Sequence, residues 1–447
     1  MLASAGVIPV RSGRVFLLER SPSLRFLPGF HAFPGGVLED CDLATVVENG
    51  DELAACAARE LLEEVGLLPD RSASPELRRA VLERSAVLER LDASRFLKAG
   101  VRITPPYTPR RFRTQFFLLE LTDEEEPEVW PGEASGGRWW GVEEALQAWR
   151  EGSIFLVAPT LSALQALLRL SPREAAALLE GMPHGTGIPG PTVPLSPVLR
   201  CLTQESSTLP PARTTMTCLA GPVLVDPGSA LPGELERLRQ ALDEFPVQEV
   251  LLTHHHPDHV AGALAVRSWG LPLAAHPETA RQLSFAVDRT VEEGERWGDW
   301  VALHTPGHAR GHLCLWHEER GLLLAGDLTA GHGTILIDPE DGGDMAVYLA
   351  SLERMRALKP RLVVSAHGPP FGPGSDLPGK LLAHRLERER KVLEALPGSL
   401  TELLERAYAD VQGPALELAR RSLLAHLLKL EREGRAFQEG SAWKIRA

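Results

Sequence analysis

The stretch "LLTHHHPDHVAG", residues 251–262, sets four histidines and an aspartate within six positions directly behind an apolar run. A lone histidine is ordinarily a polar group satisfied by its neighbours, and a pair is little more; a cluster this dense asks for another reading. The spacing predicts that His254 and His256 alternate at the end of the strand "VQEVLL" and point the same way, with Asp258 and His259 following at the turn into "VAGALAVRSW". His255, on the opposite side of that strand, is read as structural. Nitrogen and carboxylate donors in this combination suit Zn²⁺, or Mn or Fe according to supply.

Outward from the cluster, "HTPGHARGH" at 304–312, "LLLAGDL" at 322–328 and "VVSAHGPP" at 363–370 each repeat the same pattern of an apolar strand followed by His or Asp. With "VLVDPGSA" at 223–230, they resemble the metallo-β-lactamase fold hydrolases in all five motifs of that family. The resemblance implies an αββα four-layer fold with two metal ions. By position His254, His256 and His308 would hold one ion, and Asp258, His259 and His367 the second. Asp327 would bridge them, and Asp258 would be catalytic as well as a ligand. Two such ions lower the pKa of a water and polarise the ester, thioester or phosphodiester under attack. Asp226 is expected to support the site rather than bind metal, and His312 to stand behind it.

A second signature lies far upstream. In "RELLEEVG", residues 59–66, Glu60, Glu63 and Glu64 fall at i, i+3 and i+4, so one helical face carries three like charges. Taken alone this reads as a solvated face with Arg59 as local partner, or as a site for Mg²⁺ or Mn²⁺. With "AFPGG" at 32–36 upstream, the residues resemble the signature of the Nudix hydrolases. The resemblance implies cleavage of a pyrophosphate bond in a nucleoside-diphosphate-linked compound, with Glu60, Glu63 and Glu64 as metal ligands and Arg59 orienting them. The interval from Gly36 to Arg59 is longer than the family's, and Asp51 has the family's separation from Arg59 for the upstream acid. "SPSLRFLPGFHAFPGG" at 21–36 is similar to the extra motif of the coenzyme A diphosphatase branch, as are "PRRFRTQFF" at 109–117 and "GE" at 132–133. Arg25 and Arg111 are thereby expected at the substrate; the neighbouring arginines also read as a basic strand edge.

Between the two signatures "GMPHGTGIPGPTVPLSP", residues 181–197, is rich in glycine and proline and is read as a linker without helix or strand. It divides an α+β Nudix domain at 1–180 from a metallo-β-lactamase fold domain at 198–394. Residues 395–447 read as two amphipathic helices and a short hairpin, a winged-helix-like C-terminal unit. With "AHRLERER" at 383–390 this tail resembles the mammalian β-lactamase-like protein 2 type, which includes single-strand endoribonucleases, so single-stranded RNA is a possible partner. Eight Lys or Arg against seven Asp or Glu over 395–447 make no basic patch, and a lid over the metal cleft is an equal reading.

The bulk numbers fit this division. At 447 residues the chain is too long for one ordinary core. A formal net charge of −13 argues against general binding to nucleic acid or anionic membrane. Five cysteines without C-x-x-C spacing fit a reducing cytoplasm, and no leader or membrane span is expected. The expectation is a bifunctional hydrolase. Its alternatives are an RNA-processing enzyme and a Nudix half that binds nucleotide without catalysis.

Overall fold

A computed structural model describes every residue except Pro109, Pro131, Pro210, Pro211, Pro414 and Ala447, so the first residue of the 109–117 stretch lies outside the described residues. The chain divides into two compact units, residues 1–200 with 372–375, and residues 201–371 with 376–447.

In the first unit the strands Leu2–Arg11 and Phe112–Glu120 run parallel, from Leu2 opposite Phe112 to Val10 opposite Glu120, at the centre of a seven-stranded sheet. Both faces are buried, and the period of two shows it: Ala5, Val7, Phe16, Leu18, Phe117 and Leu119 enter one core, while Ile8, Val10, Val15, Leu17 and Leu118 enter the other. The first core is filled by the helix Glu52–Val65. Its interior is alanine, leucine and glutamate, all good helix formers. The Asp51 side chain accepts from Ala54 N at the start, and Gly66 ends it in the left-handed region at φ 72°.

The segment at 181–197 is not without strand, contrary to what its composition suggests. Ile103 N donates to Gly185 O at 2.7 Å, and Val193–Ser196 forms a short strand. Gly187, at φ 83°, lies so close to the buried Arg102 that a Cβ would stand 2.4 Å from its Nε. Glycine and proline here serve close approach to the strand Leu97–Ile103 rather than looseness.

Two larger sheets make up the body of the second unit. One orders Leu199–Glu205, Thr214–Ala220, Val223–Val225, Glu249–Leu252, Leu273–Ala275 and Arg289–Thr290; the other orders Arg296–Trp297, Trp300–His304, Leu313–His317, Leu322–Gly326 and Leu362–Ser365. The helix Pro232–Glu244 packs on the first and Met345–Ala357 on the second, so each sheet buries an apolar face under helix. After the helix Leu377–Ala395 come the helices Leu400–Ala407 and Ala415–Arg432 and a three-stranded sheet at 398–399, 436–439 and 442–445. Val392, Leu403, Leu423, Leu427, Leu430 and Trp443 form their core. All five cysteines are free thiols, and among the described residues no helix is long and apolar enough to cross a membrane.

Candidate metal centre

The ligand candidates of the second unit all follow the carboxyl ends of strands. Asp226 follows Val223–Val225, His254 to His259 follow Glu249–Leu252, and Asp327 and His367 follow Leu322–Gly326 and Leu362–Ser365. The strand before the histidines ends at Leu252, so alternation along a strand does not aim them. A bend over Thr253 to His255, then the helix Pro257–Val260, turns them inward.

Two groups of donors result. His256 Nδ1 lies 2.9 Å from His254 Nε2 and 2.9 Å from His308 Nε2, and Asp327 joins these three within 4.8 Å. Asp258, His259 and His367 form the second group. Asp327 lies between them, with Oδ2 3.5 Å from His308 Nε2 and Oδ1 3.5 Å from His259 Nε2 and 3.3 Å from His367 Nε2. His259 Nε2 and Asp327 Oδ1 are buried without a hydrogen-bond partner, an arrangement that costs free energy unless a cation takes up both. Imidazole nitrogen with carboxylate oxygen is also the donor chemistry of a first-row divalent ion, so the residues fit a dinuclear metal site.

The outer nitrogens are held individually, which fixes ring orientation. His259 Nδ1 meets Asp226 Oδ2 at 2.7 Å, and Asp226 also accepts from Thr253 N at 2.8 Å and Thr253 Oγ1 at 2.6 Å. His308 Nδ1 reaches Leu336 O at 2.7 Å, and His367 Nδ1 reaches Thr214 O at 2.9 Å. His312 Nε2 accepts from Asp327 N at 3.0 Å and so fixes the backbone from which that carboxylate projects. Burial disfavours charge on His308 and, with neighbouring imidazoles, lowers its pKa to about 4. Burial works the same way at His367, but Asp327 and Asp258 outweigh it and raise its pKa to about 10.

One group escaped the sequence. Asp341 Oδ2 lies 2.7 Å from His256 Nε2, and its Oδ1 lies 3.1 Å from His255 Nε2. His255 is therefore not set aside from the cluster, as alternation suggested, but shares a carboxylate with His256. Sequence gave no signal for Asp341, which sits in an irregular "DPEDGGD" run 85 positions beyond His256.

The centre opens into a cavity of about 310 Å³ lined near the ligands by His256, Asp258, His308, Asp327 and His367, and farther out by Leu209, Ile335, Leu336, Leu418 and Arg421. Leu418 and Arg421 come from the helix Ala415–Arg432, so the C-terminal unit supplies one wall.

In the first unit the three glutamates do not act alike. Arg59, buried at 3% exposure, donates Nε and Nη2 to Asp42 at 2.8 and 3.0 Å, leaving Nη1 2.9 Å from Glu60 and 3.4 Å from Glu63. Asp42, six positions after Gly36, is thus the acid that orients Arg59, and Asp51 is occupied as helix cap and as partner of Lys98 Nζ at 3.0 Å. The extra chain lies between Asp42 and Arg59. Glu63 is engaged by Arg84, Glu64 Oε2 accepts from Gly35 N at 2.8 Å, and Glu60 lies against Gly36, where a Cβ would stand 2.2 Å from its Oε1. Burial raises Glu60 to about 7, and burial with the Glu60 charge raises Glu64 to about 8. Among the described residues these three carboxylates do not converge as the His and Asp groups do. Arg25 is exposed, and Arg111 Nε is spent on Thr104 O at 2.9 Å; the cation that acts on Glu64 is the half-buried Arg20.

Residues 2–156 match the model of the NUDIX domain, 220–367 that of the metallo-beta-lactamase superfamily, and 399–443 that of the beta-lactamase associated winged helix domain. The chain joins a NUDIX domain to a metallo-β-lactamase domain. Both are hydrolase families. Lactamase-like protein nscB of Neosartorya fischeri is 33% identical over 194 residues, covering 42% of this chain and 56% of that one. Atrochrysone carboxyl ACP thioesterase dmxR1 of a Cryptosporiopsis species is 29% identical over 204 residues, covering 43% and 58%. The chain thus spans about half the length of these curated relatives. A beta-lactamase domain protein from Burkholderia ambifaria has the same fold in the metallo-β-lactamase domain, with a TM-score of 0.51 at 23% identity over 57% of this chain and 93% of that one.

Proposed function

We propose that the chain is a bifunctional metal-dependent hydrolase whose metallo-β-lactamase domain cleaves thioesters and whose NUDIX domain cleaves a pyrophosphate bond in a coenzyme A-type or nucleoside-diphosphate-linked compound. The observation that carries the thioester half is the cavity wall. Leu209, Ala212, Ala330, Ile335, Leu336 and Leu418 offer an acyl chain an apolar surface beside the donors. The ACP thioesterase among the relatives supports the same reading.

Two divalent ions in the centre would supply Lewis acidity toward the acyl oxygen and a lowered pKa for water. The chain's own residues arrange this. Asp226, Thr214 and Leu336 hold the outer nitrogens of His259, His367 and His308, and His312 fixes the backbone of Asp327. In the NUDIX domain Asp42 fixes Arg59, which partly neutralises Glu60 and Glu63, while Gly35 N holds Glu64 for Mg²⁺ or Mn²⁺.

The rival substrate is single-stranded RNA. The helix Ala415–Arg432 argues against it, because its cations are already paired: Arg420 with Glu417, Arg421 with Asp338, Lys429 with Glu389, and Arg432 with Asp344. A strand of phosphates needs free cations for its affinity.

The test is to incubate wild type, Glu64→Gln and His256→Ala with acetyl-CoA and follow free thiol and 3′,5′-ADP separately, with labelled single-stranded RNA in parallel. Thiol release lost only in His256→Ala, and 3′,5′-ADP lost only in Glu64→Gln, is the expected result. Absence of both products, or RNA cleavage that vanishes in His256→Ala, overturns the reading. Unchanged pyrophosphohydrolase activity in Glu64→Gln would make the NUDIX domain a binding module.

A further inference from the structure

The two donor groups are held largely from different parts of the chain, with His254 alone tied to the Asp226 network, through Thr253 Oγ1 at 3.0 Å. His259 and His367 lean on Asp226 and on Thr214 O. His256 and His308 both lean on one loop, residues 335–344, through Asp341 Oδ2 at 2.7 Å and Leu336 O at 2.7 Å.

That loop contains one single-turn helix, Pro339–Asp341, and is organised around Asp338. Asp338 Oδ1 accepts from Glu340 N at 3.0 Å, and its carbonyl accepts from Gly343 N at 2.7 Å and Asp341 N at 3.1 Å. Gly343 runs so close that a Cβ would lie 2.6 Å from Asp338 N. At the loop's end Asp344 N donates to Gly307 O at 2.8 Å, next to His308.

Three arginines from the C-terminal helices clamp it. Arg385, from Leu377–Ala395, donates to Ile335 O. Arg421 and Arg432, both from Ala415–Arg432, reach Asp338 Oδ2 at 2.8 Å and Asp344 Oδ2 and Oδ1 at 2.6 and 2.8 Å. Each arginine lands beside a group that touches a histidine, and none lands on the supports of His259 or His367.

We propose that the winged-helix unit is a positioning element for the three-histidine half of the centre: through the loop 335–344, Arg421 and Arg432 hold Asp341 and Leu336 where they orient His256 and His308. The proposal rests on the dinuclear reading of the site. Asp341, Arg421 and Arg432 act through the histidines and are positioning residues.

The experiment is zinc competition against a chromophoric chelator, with the full chain carrying Glu60→Gln and Glu64→Gln so that uptake reports the metallo-β-lactamase domain. This background is expected to bind two Zn²⁺. Asp341→Ala should raise one dissociation constant about tenfold, the usual penalty for losing the group behind a ligating histidine, and Asp341→Asn should recover part of it. Arg421→Ala with Arg432→Ala should raise the same constant about fivefold, since each pair is half exposed. Adding these to Asp341→Ala should bring little further loss. Asp226→Asn should weaken chiefly the other ion, which it serves directly at His259 and not through Thr253 as it does His254.

If the arginine variant leaves both constants unchanged, the proposal fails. It fails equally if both constants rise in parallel and the melting temperature of the metal-free chain drops, because the unit would then serve general stability. A background that binds fewer than two zinc ions sinks the dinuclear reading, and this proposal with it.

Discussion

Asp42 accepts two hydrogen bonds from the Arg59 guanidinium, through Nε at 2.8 Å and Nη2 at 3.0 Å, in a pair buried on both sides. Removing one partner of such a pair strands the other charge. Asp42→Ala is expected to cost about 3–5 kcal/mol in the N-terminal unfolding transition. Asp51→Ala removes only a helix cap and an exposed partner for Lys98, and should cost about 1 kcal/mol. Urea titrations of the two variants side by side decide it: a loss in Asp42→Ala no larger than that in Asp51→Ala would show that Asp42 is not the structural acid of the signature.

Gly36 presses on Glu60, and any side chain there must move the carboxylate, because a Cβ would lie 2.2 Å from Oε1 and 2.5 Å from Cδ. The obstacle is a side-chain terminus rather than backbone, so Glu60 swings away at small cost to the fold. Gly36→Ala should therefore reduce pyrophosphohydrolase kcat about a hundredfold while moving the melting temperature by only a few degrees, the scale of a ~1 kcal/mol change in a domain this size. Near-normal kcat in Gly36→Ala would show that Glu60 does not take part.

The half-buried Glu60 and Glu64 set a pH dependence whose sign follows from linkage. Glu60 and Glu64 have pKa values of about 7 and about 8 when folded. Both lie above the ~4.3 of an unfolded chain, so the folded state keeps its protons as pH rises while the unfolded state releases them. Without metal, the contribution of Glu60 and Glu64 to the stability of the NUDIX domain should be greatest below about pH 4.3 and fall between about pH 4.3 and 8, and Mg²⁺ should restore it most at the upper end. Thermal melts at pH 5 and pH 8.5, with chelator and with Mg²⁺, measure this. Glu60→Gln with Glu64→Gln should abolish the slope; a slope that survives both substitutions assigns it to other groups.

Much of this was written in the sequence, for a physical reason. Each donor of the metallo-β-lactamase domain follows an apolar run short enough to be a buried strand, as in "GLLLAGD" before Asp327, so strand and ligand are legible together. What stayed hidden are partners set by tertiary packing alone. Asp341 meets His255 and His256 from an irregular loop with no periodicity to mark it. Asp42 was obscured because extra chain separates it from Arg59, so counting back from Arg59 lands on Asp51. Composition misled at 181–197, where glycine and proline indicate a tether, yet Gly185 bridges to the strand that carries Arg102 and Gly187 packs directly on the Arg102 side chain.

Glu389 offers the last prediction. It is buried between the two long C-terminal helices, with Oε2 2.8 Å from Lys429 Nζ and Oε1 3.1 Å from an Arg435 nitrogen, beside a wholly buried His426. Burial favours its neutral form, but His426 and Lys429 outweigh burial and lower its pKa to about 2. A folded pKa below the unfolded ~4.3 gives stability that is complete above that value and is lost as pH falls toward 2. Glu389→Gln should therefore destabilise the winged-helix unit by about 3 kcal/mol at pH 7, the lower end for breaking a buried pair because Lys429 keeps Glu433 at 2.7 Å. The gap between wild type and variant should close as pH falls from about 4.3 toward 2, since protonation then discharges the wild-type side chain as the substitution already has. Hydrogen exchange of the helix Ala415–Arg432 at pH 7, with denaturant titrations from pH 5 down to 2.5, reads both effects. A gap that stays constant over that range would show that Glu389 contributes by shape and not by charge.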